Sequence, residues 1–255
     1  MFALPPSAVL TSWGNAWLTG DVGLDEVADT VEYHAGPQVV VGLPGEGAET
    51  PLRQALALLR TRGISELRLA LPVPGDPLGL MGPAALNAAA IEAGEAALVA
   101  LSSGPLGLVP EEDRRGSSYV GIRWAAHPAT GGRPDVPSLA EAEQTLIVTI
   151  RESTETLSRL DVAKWRPDVT ETLAQLREPP GVAGSGLAPS YPPRAHRVVE
   201  MARRIGVVAA LALEDEGGAV TASEMADRRA TLRDLDRVVR RAKVAALNCV
   251  ADHLA

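Results

Sequence analysis

The spacing of apolar residues divides the chain near residue 128. Before that point short apolar runs alternate with helical stretches and Gly/Pro turns, and after it nearly everything reads as helix. Val9, Leu10, Trp13, Trp17 and Leu18 share one face of a helix predicted over residues 7–19, which Gly20 stops. A second short helix follows, with Asp25 and Glu26 near its start and Val27 and Val31 facing inward. Gln38-Val39-Val40-Val41-Gly42 is a β-branched run and reads as a buried strand. A turn-rich segment, Leu43 to Glu49, leads to Thr50-Pro51, an N-cap followed by proline at the first helical position. Leu52, Leu56 and Leu59, with Leu58 beside them, form the apolar stripe of that helix, and Gly63 ends it. Leu67 to Val73 and Ala96 to Leu101 read as strands on either side of a helix from Pro83 to Ala93. From Ser117 to Ala126 another strand alternates, with Val120, Ile122, Trp124 and Ala126 on its apolar face. Helical crossovers between strands favour parallel pairing. The expected fold class is therefore α/β, with a small, mainly parallel sheet and flanking helices in the N-terminal half, followed by an all-helical C-terminal region.

Residues 128–137 carry Pro and Gly-Gly without periodicity and read as a linker between an α/β domain, 1–128, and a helical region, 138–255. That region either stands apart or packs back on the sheet as one domain. Ser138-Leu139-Ala140-Glu141 is a capping box, in which hydroxyl and carboxylate each satisfy the other's backbone N–H. Leu139, Ala142, Leu146, Ile150, Leu157 and Leu160 then form one stripe of a long helix. Asp168-Val169-Thr170-Glu171 resembles a second box, Glu178 to Pro189 is a Gly/Pro/Ser-rich loop, and Ser190 opens a helix running to about Glu214. Gly217-Gly218 breaks it and Thr221-Ala222-Ser223-Glu224 opens the last helix. There Leu232, Leu235, Val239, Ala242, Ala246 and Cys249 recur in steps of three and four. The seam serves either a bundle core or an interface with a second copy.

Composition narrows the function classes. An apolar fraction of 46% fills a core, and with aromatics at 3% that core is built from Ala, Leu and Val. A net charge of −8 argues against a nucleic-acid binder, which needs a basic surface to collect phosphates. The arginines of the last helix, Arg228 to Arg241, are interleaved with Glu224, Asp227, Asp234 and Asp236 at salt-bridging spacing, which reads as a paired, solvated face. The single cysteine, Cys249, excludes an intramolecular disulfide and a Cys-based zinc site. His34, His127, His196 and His253 fall in no ligand spacing, so no metal and no cofactor are expected. The first residues lack the basic and apolar regions of a signal peptide, and no apolar run approaches the roughly 20 residues that span a bilayer. A cytoplasmic protein without membrane contact is expected.

In an open parallel sheet ligands bind beyond the carboxyl ends of the strands. Those ends fall at Gly42–Glu49, Pro72–Gly82 and Ser102–Gly107, all rich in Gly or Pro. The candidate crevice residues are Gly45, Glu46, Asp76, Ser102 and Ser103, with His127 at the end of the last strand on the face that carries Arg123. Gly42-Leu43-Pro44-Gly45-Glu46-Gly47 lies where nucleotide-binding proteins cradle phosphate. It lacks a lysine, matches neither nucleotide motif and carries acids, so tight-turn glycines explain it better. No Gly-x-Ser-x-Gly elbow occurs.

Leu69-Ala70-Leu71-Pro72-Val73-Pro74-Gly75-Asp76-Pro77, Leu106-Gly107-Leu108-Val109-Pro110 and Leu160-Asp161-Val162-Ala163-Lys164-Trp165-Arg166-Pro167 resemble a family of conserved, uncharacterised proteins of high-GC actinobacteria. The resemblance carries no activity and no catalytic residues to any position. The expected function is a non-catalytic interaction or regulatory protein that self-associates through Leu232, Leu235, Val239, Ala242 and Ala246, with a protein partner or a second copy as its ligand. The alternatives are an α/β module binding a small molecule, and a hydrolase or transferase with its site at the strand ends.

Overall fold

The computed structural model describes residues 4–47, 49–115, 119–132, 134–159, 186–214 and 221–254. The chain forms two units. One, the sheet unit, comprises Ala3–Val136, Gly186–Pro192 and Leu247–Ala255, and the other holds Pro137–Ser185 and Pro193–Ala246. The box expected at Asp168–Glu171, most of the loop from Glu178 and the break at Gly217-Gly218 lie outside the described residues.

The sheet unit begins with helices α1 (Pro6–Thr19) and α2 (Leu24–Ala35), each stopped by a glycine. Strand β1 (Gln38–Val41) follows, then β2 (Thr50–Pro51), helix α3 (Leu52–Thr61), strand β3 (Ile64–Ala70), helix α4 (Ala84–Ala93) and strands β4 (Ala96–Leu101), β5 (Leu106–Arg115) and β6 (Tyr119–Pro128). Val27, Val31, Leu52, Leu56 and Leu59 are buried, as their helical spacing requires. Trp124 is fully buried, and its indole N–H donates to Gln38 Oε1 at 2.7 Å. Gln38 in turn donates to the Val31 carbonyl at 2.9 Å, so β6, β1 and α2 are joined by one buried polar chain. Thr50-Pro51 does not cap α3. It pairs with β1 instead, and the helix starts one residue later without a side-chain cap.

The sheet is mixed and mostly antiparallel, which corrects the expected mainly parallel one. Its order is β2-β1-β6-β5-β4-β3, and only β1 and β6 run parallel. The physical reason lies between β3 and β4. A single helical crossing returns the chain to the starting end and makes a parallel neighbour. Here residues 71–83 first carry the chain along the sheet to its opposite end, where the Thr130 N–H donates to the Gly82 carbonyl at 3.1 Å. Helix α4 then brings it back, so Ala96 pairs with Ala70 and β4 runs against β3. Leu80, Leu86 and Ala90 pack there with Ala70, Ala96 and Val109. Leu86 lies directly on Gly107, where a Cβ would collide with its methyl groups. Strand β5 is absent from the sequence-based order because Pro110 and the run Glu111-Glu112-Asp113-Arg114-Arg115 lack any apolar alternation.

Both outer edges of the sheet are closed. β2 is two residues long and includes a proline, which blunts it. At β3 the outward-facing peptide groups meet carboxamides. Asn15 Nδ2 donates to the Leu67 carbonyl and its Oδ1 accepts from the Leu67 N–H, both at 2.8 Å. Asn248 Oδ1 accepts from the Leu69 N–H at 2.7 Å, and Nδ2 donates to the Leu69 carbonyl at 3.0 Å. Both asparagines are buried. Asp252, in the short helix Ala251–Leu254, adds a salt bridge to Arg68 at 2.8 Å. The segment at Gly186–Pro192 docks on α1: Ala188 N–H donates to Ser12 Oγ at 2.8 Å, and the Tyr191 hydroxyl donates to the Leu247 carbonyl at 2.9 Å.

The other unit contains helices α5 (Leu139–Arg159), α6 (Pro193–Glu214) and α7, which spans Ala222–Asn248 and passes its last residues to the sheet unit. The capping boxes at both expected starts are formed. Ser138 N–H donates to Glu141 and Glu141 N–H to the Ser138 hydroxyl, and Thr221 and Glu224 repeat the exchange. The Ser138 bonds hold the Glu141 carboxyl below its ordinary range, against a smaller opposing effect of burial. Helices α6 and α7 approach closely at Gly206, where a Cβ would stand 3.1 Å from Val239 Cγ1. Arg194 pairs with Glu143 at 2.6 Å, joining α6 to α5.

Replacing Asn15 by Leu strands both peptide groups of Leu67 in the interior. The expected cost is about 2–4 kcal/mol, read as a lower urea midpoint at unchanged m. Asn15→Asp keeps the acceptor but loses the donor and buries a charge, so it is no rescue. A midpoint unchanged in both would refute the edge-closing role. A second prediction concerns Glu95, whose carboxylate accepts from the Ser7 N–H at 2.7 Å in the first turn of α1. Burial pushes this carboxyl up, and the Ser7 bond offsets that only in part. The folded state therefore favours the protonated form. Its contribution is complete below the unfolded pKa and is lost as pH rises through the raised one. Glu95→Gln should gain stability over wild type as pH rises from the ordinary carboxylate range through the raised pKa; parallel stability curves would contradict this.

Candidate functional site

Strands β1, β4 and β6 all finish at one end of the sheet, and β3 and β5 start there. The loops leaving these strands meet the carboxyl end of α3 around an open cavity of about 950 Å³. Pro44, Leu101, Pro105, Leu106 and Pro128 make its walls mainly apolar. Its polar groups are the hydroxyls of Thr61, Ser102 and Ser103 and the guanidinium of Arg62. A smaller groove of about 300 Å³ shares Leu101, Pro105 and Ala129 with it and reaches Met81 and Arg68.

Arg62 is set by the way α3 ends. Its N–H still bonds back to the Leu58 and Leu59 carbonyls, so the side chain leaves from the last turn. Gly63 follows with φ +74°, a left-handed stop that sends the chain directly into β3. A side chain at Gly63 would meet Ser102 Oγ at 2.5 Å. With glycine there, the Ser102 hydroxyl donates to the Gly63 carbonyl at 3.3 Å. Across the cavity mouth, Glu46 accepts from Arg62 Nη2 at 3.2 Å. Arg62 Nη1 is buried and has no hydrogen-bond partner among the described residues. A buried donor without an acceptor costs about 1–3 kcal/mol.

Of the residues expected to form a crevice, Gly45, Glu46, Ser102 and Ser103 gather at this end. Ser102 and Ser103 line the cavity, and Glu46 reaches it through Arg62. His127 immediately precedes the lining residue Pro128, but pairs across β5 with Gly107 on the face opposite Trp124 and is outside the lining. Asp76 is not brought to them. It sits in a turn closed by reciprocal 3.0 Å bonds between Val73 and Asp76, in the connection that leaves β3 at its Ala70 end. Ser102 follows β4 at the Ile64 end. The glycine loop after β1 leads into β2 and not into a helix, so it presents no helix N-terminus to a phosphate. Arg62 is the site residue that sequence patterns missed. Its only signal is a cation between the last helical residue and the stopping glycine.

Other candidate groups lie away from the cavity. Leu232, Leu235, Val239, Ala242 and Ala246 are all buried within their own chain. Cys249 is buried too, and burial above all pushes its thiol up to about 11, which keeps it protonated and unreactive at neutral pH. Among the described residues, no group of His, Cys, Asp and Glu could hold a metal ion, and no helix is long and apolar enough to cross a membrane.

Comparison with known proteins places the chain in a family. Residues 7–141 match the model of the Rv1486c-like protein N-terminal domain, and residues 140–244 match that of the C-terminal domain. The uncharacterized protein Rv1486c of Mycobacterium tuberculosis is 30% identical, over 96% of each chain. The uncharacterized protein ML1804 of Mycobacterium leprae is 26% identical over 96% of this chain and 97% of its own. No solved structure matches. The resemblance to uncharacterised actinobacterial proteins seen in the sequence is thus established, and the chain belongs to the Rv1486c-like protein family.

Proposed function

We propose that this protein is a non-catalytic binding module that takes a small, mostly apolar molecule carrying a carboxylate, in the cavity beside Arg62. The observation that carries the reading is the guanidinium itself. It stands at an apolar cavity with one fork held by Glu46 and with Nη1 buried and lacking an acceptor among the described residues. Nη1 is closed to solvent in the ligand-free chain, so the guanidinium must turn toward the cavity for a ligand carboxylate to supply that acceptor, while proline and leucine walls cover an apolar body. Binding fits better than chemistry. Among the described residues, Arg62 is the only titratable side chain in the lining, and a cation that stays protonated is no proton shuttle. Ser102 donates its hydroxyl proton to a backbone carbonyl and not to a base, so it is not activated as a nucleophile. Self-association through Leu232, Leu235, Val239, Ala242 and Ala246 draws no support, because those side chains are already covered.

The test is thermal unfolding with a panel of medium-chain and aryl carboxylates, each matched by its amide. A carboxylate at about 100 times its Kd adds about 2.7 kcal/mol and raises the Tm by several degrees, while its amide does so weakly. Arg62→Gln should erase the difference between acid and amide. Acids and amides that stabilise equally, or a panel without effect, would sink the proposal.

A further inference from the structure

Strand β5 outruns its neighbour. It pairs with β6 along all 10 of its residues, but with β4 only from Leu106 to Leu108. From Val109 onward its other edge carries no strand among the described residues. A proline is tolerated inside a paired strand only where its nitrogen faces the free side. Pro110 therefore marks 110, 112 and 114 as the positions whose peptide groups face that open edge. Glu111, Glu112, Arg114 and Arg115 are all exposed there.

We propose that this edge pairs with the same edge of a second copy, antiparallel, about a two-fold axis at Asp113. The charge order carries the inference. A run of like charges repels a second copy and protects an edge. Here an acidic half, Glu111-Glu112, precedes a basic half, Arg114-Arg115, with Asp113 between them. Antiparallel pairing centred on Asp113 sets Glu112 opposite the second copy's Arg114 on one face. It sets Glu111 opposite the second copy's Arg115 on the other. Parallel pairing would oppose like charges throughout. The outward peptide groups of Glu112 and Arg114 would exchange N–H···O bonds with those of the second copy, as in any antiparallel pair. Two features of the free chain suit this. Glu111 has no ion-pair partner among the described residues. The 2.9 Å pair of Arg114 with Glu112 is exposed and readily exchanged, since surface pairs contribute little. Arg115 is already held in place by Asp113 and Glu49, and Glu49 also binds Arg123. At the axis each Asp113 carboxylate is buried in its own chain and held by Arg115 at 2.7 Å, which offsets the repulsion between the two. So short an edge makes a small interface, and the dimer forms in the range of about 10 µM to 1 mM.

Sedimentation velocity of the full chain over that range tests it. Wild type is expected to dimerise with rising concentration, and less so at high salt. Arg114→Glu sets two glutamates against each other at both symmetric positions and should raise the Kd at least about tenfold. Glu112→Arg does the same with arginines. An equimolar mixture of the two variants restores opposite charges at both positions and should associate like wild type. Both positions are exposed, so unchanged circular dichroism is expected of each variant. A wild type that stays monomeric throughout would overturn the proposal. So would variants that dimerise like wild type, or a mixture that stays monomeric when wild type dimerises.

Discussion

Two carboxamides replace a missing strand, and the sheet unit depends on them. An amide group carries a donor and an acceptor at nearly the spacing of a peptide unit. One asparagine can therefore satisfy one outward-facing residue of an edge strand completely. Asn15 does this for Leu67 and Asn248 for Leu69. Every one of these atoms is away from water, where an unmade bond is expensive. The geometry then fixes more than the edge. Asn15 sets the position of α1 along β3 so tightly that Gly14 lies against Leu67, where a Cβ would stand 2.9 Å from its methyl carbon. Asn248 ties the end of the chain to a strand formed far earlier in sequence. The β3 register fixes where α3 must stop, and thereby where Arg62 stands.

The sheet's open sides have different fates, each traceable to composition. β3 is closed by buried polar side chains, which makes it permanent. β2 is closed by brevity and a proline. Among the described residues no strand pairs with the outer edge of the projecting part of β5, which carries charge instead. Charge keeps such an edge soluble as long as approaching strands bring the same sign. An order of acids then bases reverses that effect for one approach only, the antiparallel one by an identical chain.

Much of this fold was legible in residue patterns, and the failures have definite causes. Helices α1 and α2 and strands β4 and β6 stand where residue patterns put them, but the expected faces hold only in part: α1 is buried on nearly every side while Trp13, Trp17 and Leu18 are half-buried, and on the alternating face of β6 Trp124 is buried while Val120 is exposed. Both described capping boxes follow from residue type at fixed spacing. β5 was illegible because its outer half buries only Asp113, a charged residue, and so displays no apolar alternation. Strand polarity was illegible because a crossover's direction depends on how many times the connection spans the sheet, and the irregular stretch 71–83 hides one span. The candidate site shows the same division. Ser102, Ser103 and the Gly45-Glu46 turn lie at one end because β1 and β4 both finish there, and Asp76 does not join them because β3 runs the other way. For Leu232 and its companions, a three-four seam reports that a face is covered, but not by what.

Mixed polarity also explains why a cavity exists where it does. β1 lies parallel to β6, so the loop after β1 and the chain after Pro128 emerge side by side. β4 lies antiparallel to β5, so the turn Ser102–Pro105 closes at that same end. β3 starts there, so the helix that precedes it must deliver its last residue to the same place. Several chain segments thus converge where an all-parallel sheet would have placed only loops leaving the strands. Pro44, Pro105 and Pro128 stiffen them and keep them from collapsing into the space between. At the wall of that space stands Arg62, from the end of α3, with Nη2 paired to Glu46 and Nη1 buried. On the proposed reading, such a site would discriminate between ligands by charge at one point and by shape elsewhere.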